Sequence, residues 1–208
     1  MQISLTFPLE CEPNLRPHLQ HVFDGEYNVP LDVRPRVIID AGANVGAFSI
    51  WAAHRWPGST IHAYEPHPKT FEVLKRNCAG YYNVTLHNYA LGEPGMRILG
   101  NGLTNCGEAS LYEMTGNPLP TGQHVEVLDP RTLPAADILK VDTEGCEIEI
   151  IAPLIAAGRK FEAIMFEWHR ENDRRYLDVL LIDYVMIKSE VAHPERGTCN
   201  YLHKDLFL

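Results

Sequence analysis

Several things are scarce in this 208-residue chain, and each shortage narrows its class. No apolar run approaches the ~18 residues that a membrane-spanning helix needs, although apolar residues make up 45% of the chain. The opening residues, Met1-Gln2-Ile3-Ser4-Leu5-Thr6-Phe7-Pro8, carry neither a basic stretch nor a long apolar core, so they do not read as a secretory signal. Basic residues are in deficit: 18 Lys and Arg against 27 Asp and Glu give a net charge of −9. The densest basic stretch, Arg170 to Arg175, is interrupted by Glu171 and Asp173. Phosphate backbones call for a basic patch, so neither a nucleic-acid nor a membrane partner is expected. The five cysteines, Cys11, Cys78, Cys106, Cys146 and Cys199, form no CxxC pair. An odd count without metal-ligand spacing reads as reduced thiols in a cytoplasmic protein, not as a disulfide framework, and no zinc site is expected.

What is present is a rhythm of strands and helices. Residues 1–36 hold Pro8, Pro13, Pro17, Pro30 and Pro35 and read as an irregular cap or lid, with a short helix from Pro17 to Phe23 and Tyr27 placed to face a ligand if the segment is a lid. From Val37 to the end, residues 37–208 read as one domain. Strands are expected at Val37–Asp40, Thr60–Tyr64, Val84–Tyr89, Asp137–Asp142 and Ala163–Glu167. Helices are expected at about Val45–Arg55, Pro68–Cys78, from Cys146 to Gly158 with a kink or restart at Pro153, and Asn172–Leu181. Residues 93–136, rich in Gly, Asn and Pro, break the rhythm with short extended pieces at Met96–Leu99, Ser110–Tyr112 and His124–Leu128 and read as an insertion walling a pocket. Tyr184–Ala192 and Thr198–Phe207 alternate apolar and polar residues around His193–Gly197, an antiparallel hairpin at or near the sheet edge. The predicted fold is α/β and Rossmann-like: a mainly parallel twisted sheet with helices on both faces.

The stretch Val37-Ile38-Ile39-Asp40-Ala41-Gly42-Ala43-Asn44-Val45-Gly46-Ala47-Phe48 is a buried strand, a glycine turn and a helix start. Ligands of open α/β sheets bind at such strand ends. A dinucleotide would need G-x-G-x-x-G for its pyrophosphate, whereas the spacing here is Gly42-x-x-x-Gly46, and Asp40 would repel a pyrophosphate. A nucleoside without phosphate, such as S-adenosylmethionine, fits better, with an acid for its ammonium group. Glu65, at the end of the second strand, can accept both ribose hydroxyls, a role shared with NAD-binding folds. Ala90 and Leu91 offer backbone and apolar surface beside the adenine position.

Four stretches in order, Asp40-Ala-Gly42-Ala-Asn44-Val-Gly46, Tyr64-Glu65-Pro66-His67-Pro68, Ala90-Leu91-Gly92 and Ile138-Leu139-Lys140-Val141-Asp142-Thr143-Glu144-Gly145-Cys146-Glu147, together resemble the FkbM family of methyltransferases. The resemblance covers roughly residues 23–170. It implies a class I methyltransferase fold that binds S-adenosylmethionine and O-methylates a hydroxyl of a small molecule or glycoside. Carried over, Asp40, Gly42, Asn44 and Gly46 would form the methionine-side turn, Glu65 with Pro66 would hold the ribose, and Asp142 would face donor and acceptor.

Beside the resemblance stands a case from the residues. Asp142 and Glu144 end the fourth strand, Glu167 and His169 the fifth, and neighbouring parallel strands bring all four to one rim. Methyl transfer from a sulfonium needs positioning and removal of the acceptor's proton. His169 is the natural base, since imidazole titrates near neutrality. Asp142 positions the acceptor, with Glu144 and Glu167 in support. Trp168 could wall the acceptor pocket, while Trp51 and Trp56 read as core. The same acids could hold Mg²⁺, although no metal is predicted. Two rivals remain: a non-catalytic adenosylmethionine-binding module and, more weakly, a nicotinamide-dependent oxidoreductase.

Overall fold

The computed structural model describes residues 9–30, 32–100, 109–111 and 122–208. Cys106 and Tyr112, named above, lie outside them. Five parallel strands form the heart of the fold: β1 (Val37–Ala41), β2 (Thr60–Tyr64), β3 (Val84–His87), β7 (Ile138–Val141) and β8 (Ala163–Trp168). All of β7 and the last four residues of β1 are buried, as central parallel strands covered on both faces must be. The main sheet has seven strands in the order β3-β2-β1-β7-β8-β10-β9. β9 (Tyr184–His193) and β10 (Arg196–His203) form the C-terminal hairpin, and β10 runs antiparallel between β8 and β9, which leaves β9 as the edge. The chain order reverses between β1 and β7, and such a switch point opens a crevice above the carboxyl ends of the strands.

A three-stranded sheet, β4 (Ala90–Leu91), β6 (Gln123–Leu128) and β5 (Gly95–Leu99), branches off after β3. β3 stops at His87 rather than continuing to Tyr89, because Asn88 turns its side-chain amide onto the carbonyls of Glu65 and Pro66 at 2.8 and 3.1 Å. β5 and β6 correspond to two of the three short extended pieces, while Ser110 and Leu111 carry no strand.

Two apolar cores cover the two faces. On one, α2 (Ala47–Arg55) packs with α1 (Arg16–Phe23), joining Leu19, Val22, Phe23 and Tyr27 to Phe48, Trp51 and Trp56. Trp51 and Trp56 meet edge to face at 5.3 Å and belong to this core. On the other, α4 (Glu147–Ala156) and α5 (Glu171–Leu180) join the small sheet around Leu91, Leu99, Ile150, Phe166 and Trp168. α3 (Pro68–Cys78) buries Thr70, Leu74 and Cys78. α4 runs through Pro153 without a break: the proline lies in its last turn, so it removes a single helical bond. The helix stops at Gly158, whose φ of 74° closes the last turn. Cys11, Cys78, Cys146 and Cys199 are free thiols, three of them buried. Among the described residues no helix is long and apolar enough to cross a membrane.

Candidate active site

The β1–α2 turn is shaped by its neighbours as much as by any ligand. Gly42 has φ 78°, and a Cβ there would stand 1.7 Å from the backbone oxygen of Asp142, so only glycine lets the turn lie against the end of β7. Gly46 has φ 98° and caps α2, and a Cβ there would press on Leu74 Cδ1 at 2.8 Å. Asn44, with φ 51°, donates its backbone N–H to Glu65 Oε2 at 3.0 Å, and His67 N–H donates to Glu65 Oε1 at 2.8 Å. Glu65 therefore ties the end of β2 to the turn. Burial pushes its carboxyl up to about 7, and these two amides only partly offset the push.

Beneath the turn lies a buried charge cluster. Asp40 and Lys140 are register partners on β1 and β7 and point to the α2 face. Lys140 Nζ stands 3.1 Å from Asp40 Oδ1 and 3.7 Å from Asp142 Oδ2, and it donates to the Gly42 carbonyl at 2.8 Å. Ser49 Oγ, from α2, donates to Asp40 Oδ2 at 2.6 Å. Burial alone would lower the lysine's pKa, but Asp40 and Asp142 outweigh it and hold it raised.

Above the strand ends opens a cavity of about 600 Å³, within the range typical of small-molecule sites. Of the residues expected to bind a ligand, Gly42, Asn44, Glu65, Pro66, Ala90, Leu91 and Asp142 line it, as do Glu144 and Glu167. Asp40, Gly46 and His169 do not. Asp40 is fully buried and already engaged by Lys140 and Ser49, so the reading of it as the acid for an ammonium group is corrected to a structural one. Gly46 serves the packing of α2 on α3. Tyr64, Leu91, Leu99 and Leu111 make one end apolar, and Glu26, Tyr27, Lys188 and Arg196 make the other polar.

The rim formed by β7 and β8 does bring the four predicted polar residues together. Glu144 has φ 55° and Gly145 φ 111°, a left-handed pair that bends the chain sharply into α4. Arg196, from the hairpin, reaches Glu144 Oε2 at 2.7 Å and Glu167 Oε1 at 3.2 Å. His169 Nδ1 faces Glu147 Oε1 at 3.1 Å, and its Nε2 lies 3.0 Å from Glu144 Oε2, off the line of a hydrogen bond. Burial alone would lower the imidazole's pKa, but the Glu144 and Glu147 carboxylates hold it up at about 11. Both ring nitrogens thus face carboxylates and His169 does not line the cavity, so the structure places the residue expected as base among the side chains that hold the rim. Burial and the nearby Asp142 push Glu167 up to about 9, while Asp142 itself is held low against its burial by Lys140 and His169. Asp142, Glu144 and His169 each bring one possible metal-ligand atom within 4.8 Å of the others. Arg196 and the protonated His169 already supply positive charge there. Trp168 is buried in the core and lines no part of the cavity.

Sequence reasoning missed Glu26, Lys140, Arg196 and the structural use of Glu147. Lys140 and Glu147 stood inside the quoted motif, and the two-residue alternation of β7 puts Lys140 on the same face as Asp142. Glu26 and Arg196 stand in no motif and reach the cavity only through tertiary docking.

A seven-stranded sheet of this order, with a glycine turn at its switch point, defines the Rossmann-like methyltransferase fold. The ribosomal protein L11 methylase from Lactobacillus delbrueckii subsp. bulgaricus superposes with a TM-score of 0.56 at 14% identity, covering 98% of this chain and 91% of that one, a likeness of fold. Within that class the chain belongs to the FkbM methyltransferase family, whose description, Methyltransferase FkbM domain, matches residues 40–193. It is 48% identical to Methyltransferase sdnD of Sordaria araneosa, over 70% of this chain and 71% of that protein. It is 29% identical to 31-O-demethyl-FK506 methyltransferase FkbM of Streptomyces tacrolimicus, over 59% of this chain and 61% of that one. Methyltransferase 1 of Beauveria bassiana is matched at 37% identity over 34% of this chain, and only 26% of that protein's length is spanned.

Proposed function

We propose that the protein transfers a methyl group from S-adenosylmethionine to a hydroxyl of a small molecule or glycoside. The observation that carries this reading is the cavity at the switch point, which is lined both by apolar residues beside Glu65 and by the carboxylates at the ends of β7 and β8. A donor nucleoside and an acceptor can therefore share one cleft. One relative is named for demethyl-FK506, which supports a small-molecule acceptor by analogy.

When bound, S-adenosylmethionine supplies an activated methyl on sulfur. The chain's own residues do the rest. Glu65 would accept the ribose hydroxyls with the lone pairs that Asn44 and His67 leave free. Tyr64, Ala90 and Leu91 would give the adenine an apolar bed. The turn from Gly42 to Asn44 would receive the amino-acid tail. Asp142, whose carboxyl Lys140 and His169 hold low against its burial, would orient the acceptor hydroxyl. Orientation of two reactants in one site can contribute up to ~7–11 kcal/mol to the rate.

The test is a methyl-transfer screen with radiolabelled S-adenosylmethionine over hydroxylated metabolites and glycosides, with and without EDTA, alongside binding titrations with S-adenosylmethionine and NAD. Labelled O-methyl product is the expected result. Binding of NAD without S-adenosylmethionine would point to an oxidoreductase, and binding of S-adenosylmethionine without transfer would point to a non-catalytic module.

A further inference from the structure

The acceptor hydroxyl must lose a proton, and the corrected reading of His169 leaves that task open. A base for it must line the cavity and must not already be matched by a cation. Asp142 has Lys140 at 3.7 Å, Glu190 has Lys188 at 3.6 Å, Glu144 has Arg196 at 2.7 Å and Glu167 has Arg196 at 3.2 Å. Two lining carboxylates at the polar end have no cation within 4.0 Å among the described residues: Asp24, which is exposed and accepts from Gln20 Nε2 at 3.0 Å, and Glu26, which is half-buried and has no such partner. Its backbone is pinned: Asn200 Nδ2 donates to the Glu26 carbonyl at 2.8 Å, and Lys188 Nζ donates to it at 3.3 Å. The next residue, Tyr27, is wedged edge-on against Phe48 at 5.2 Å. A residue on the N-terminal segment is thus held by β9, β10 and α2 at the wall of the cavity.

We propose that Glu26 is the catalytic base, taking the proton of the acceptor hydroxyl as the methyl group is transferred. This rests on the methyl-transfer reading above. The acceptor oxygen forms its bond to the methyl carbon while the carbon–sulfur bond breaks and leaves its electron pair on sulfur. The hydroxyl proton passes to a Glu26 carboxylate oxygen and then to solvent. The surroundings suit the task. Burial and Asp142 push the Glu26 carboxyl up to about 7, with Glu190 adding to the push and Lys140 and Lys188 opposing it. A base is most effective with its pKa near the working pH. Tyr27, fully buried, is held well above its ordinary range by burial and by Asp142, Glu26, Glu167 and Asp40, so it stays neutral beside Glu26.

Two measurements test this. Glu26→Gln keeps shape and removes basicity. With any acceptor found in the screen, kcat should fall ~10²–10⁴-fold, the dissociation constant for S-adenosylmethionine should stay within about threefold, and the acid limb of the kcat–pH profile should vanish. Glu26→Asp should restore part of the rate. The second measurement needs no acceptor: in protein labelled with ¹³C at glutamate carboxyls and saturated with S-adenosylhomocysteine, the resonance lost in Glu26→Gln should titrate near the value of about 7. Wild-type kcat and an unchanged acid limb in Glu26→Gln, or a Glu26 titration in the ordinary range of ~4.3, would overturn the proposal. Absence of S-adenosylmethionine binding by the wild type would instead overturn the methyl-transfer reading on which it rests.

Discussion

Asp40 and Lys140 stand side by side on neighbouring parallel strands, carboxylate and ammonium 3.1 Å apart, at 0% and 4% side-chain exposure. This pair lies directly beneath the turn that shapes the cavity, and Lys140 also holds the Gly42 carbonyl. Removing one partner of such a pair leaves a buried charge with no compensation, at a cost of ~3–5 kcal/mol. Asp40→Ala should therefore lower the stability measured by urea unfolding by about that amount. The double variant Asp40→Leu/Lys140→Met should recover most of the loss, because a well-packed apolar pair of similar volume is often neutral. A double variant no more stable than Asp40→Ala would mean that the ion pair itself, not its burial, carries the stability.

The glycines separate into those the fold demands and those it does not. At Gly42 a methyl group would collide with the backbone of Asp142 at 1.7 Å, and φ is 78°. At Gly58 and Gly80 a methyl would meet nothing within 4 Å, and neither has a positive φ. Gly42→Ala should give insoluble or strongly destabilised protein, since left-handed backbone alone costs ~1–3 kcal/mol and the clash adds to it. Gly58→Ala or Gly80→Ala should leave the melting temperature unchanged or raise it, by up to ~1 kcal/mol of stability from the stiffer unfolded chain. A folded Gly42→Ala protein with a wild-type melting temperature would show that the end of β7 can move.

Much of this was legible in the chain. Short apolar runs alternating with helical stretches marked the parallel strands, and the ends of the fourth and fifth of them put Asp142, Glu144, Glu167 and His169 on one rim. What could not be read was the facing of side chains that depends on register. Asp40 was expected to end a strand, which suggested a ligand, but β1 continues to Ala41, and Asp40 turns toward its register partner Lys140 under α2. His169 lay at a strand end too, yet one of its ring nitrogens is taken up by Glu147, which becomes a neighbour only when α4 starts where it does. Glu26 belongs to a proline-rich segment with no periodic signal. Its position depends on Asn200, 174 residues away in sequence.

Glu65 joins two jobs in one side chain. It accepts the backbone amides of Asn44 and His67 and faces the cavity beside Tyr64 and Pro66. Glu65→Ala should raise the dissociation constant for S-adenosylmethionine at least about a hundredfold, equivalent to ~2.7 kcal/mol, and should also lower stability, because two buried amides lose their acceptor. Glu65→Gln keeps an acceptor for only one of the two amides and sets its NH2 against the other, so it should lose affinity and retain only part of the stability that Glu65→Ala loses. Isothermal titration and thermal unfolding measure the two effects separately, and unchanged affinity in both variants would remove Glu65 from the donor site.

The rim makes stability depend on pH in a direction that its chemistry sets. His169 is raised to about 11 and Glu167 to about 9, so both bind protons more tightly in the folded chain than in the unfolded one, where they titrate near ~6.5 and ~4.3. The stability from His169 is fully present below pH ~6.5 and is lost as pH rises through about 11. That from Glu167 is present below pH ~4.3 and is lost as pH rises through about 9. Between roughly pH 7 and pH 9 both are being lost, at up to ~1.4 kcal/mol per pH unit for each proton retained. Urea midpoints should accordingly fall across that window, and His169→Gln, which removes the larger share of the retained proton, should flatten the fall. A wild-type midpoint that is constant or rises from pH 7 to pH 9 would mean that His169 is neutral between its carboxylates, and would return it to the list of possible bases.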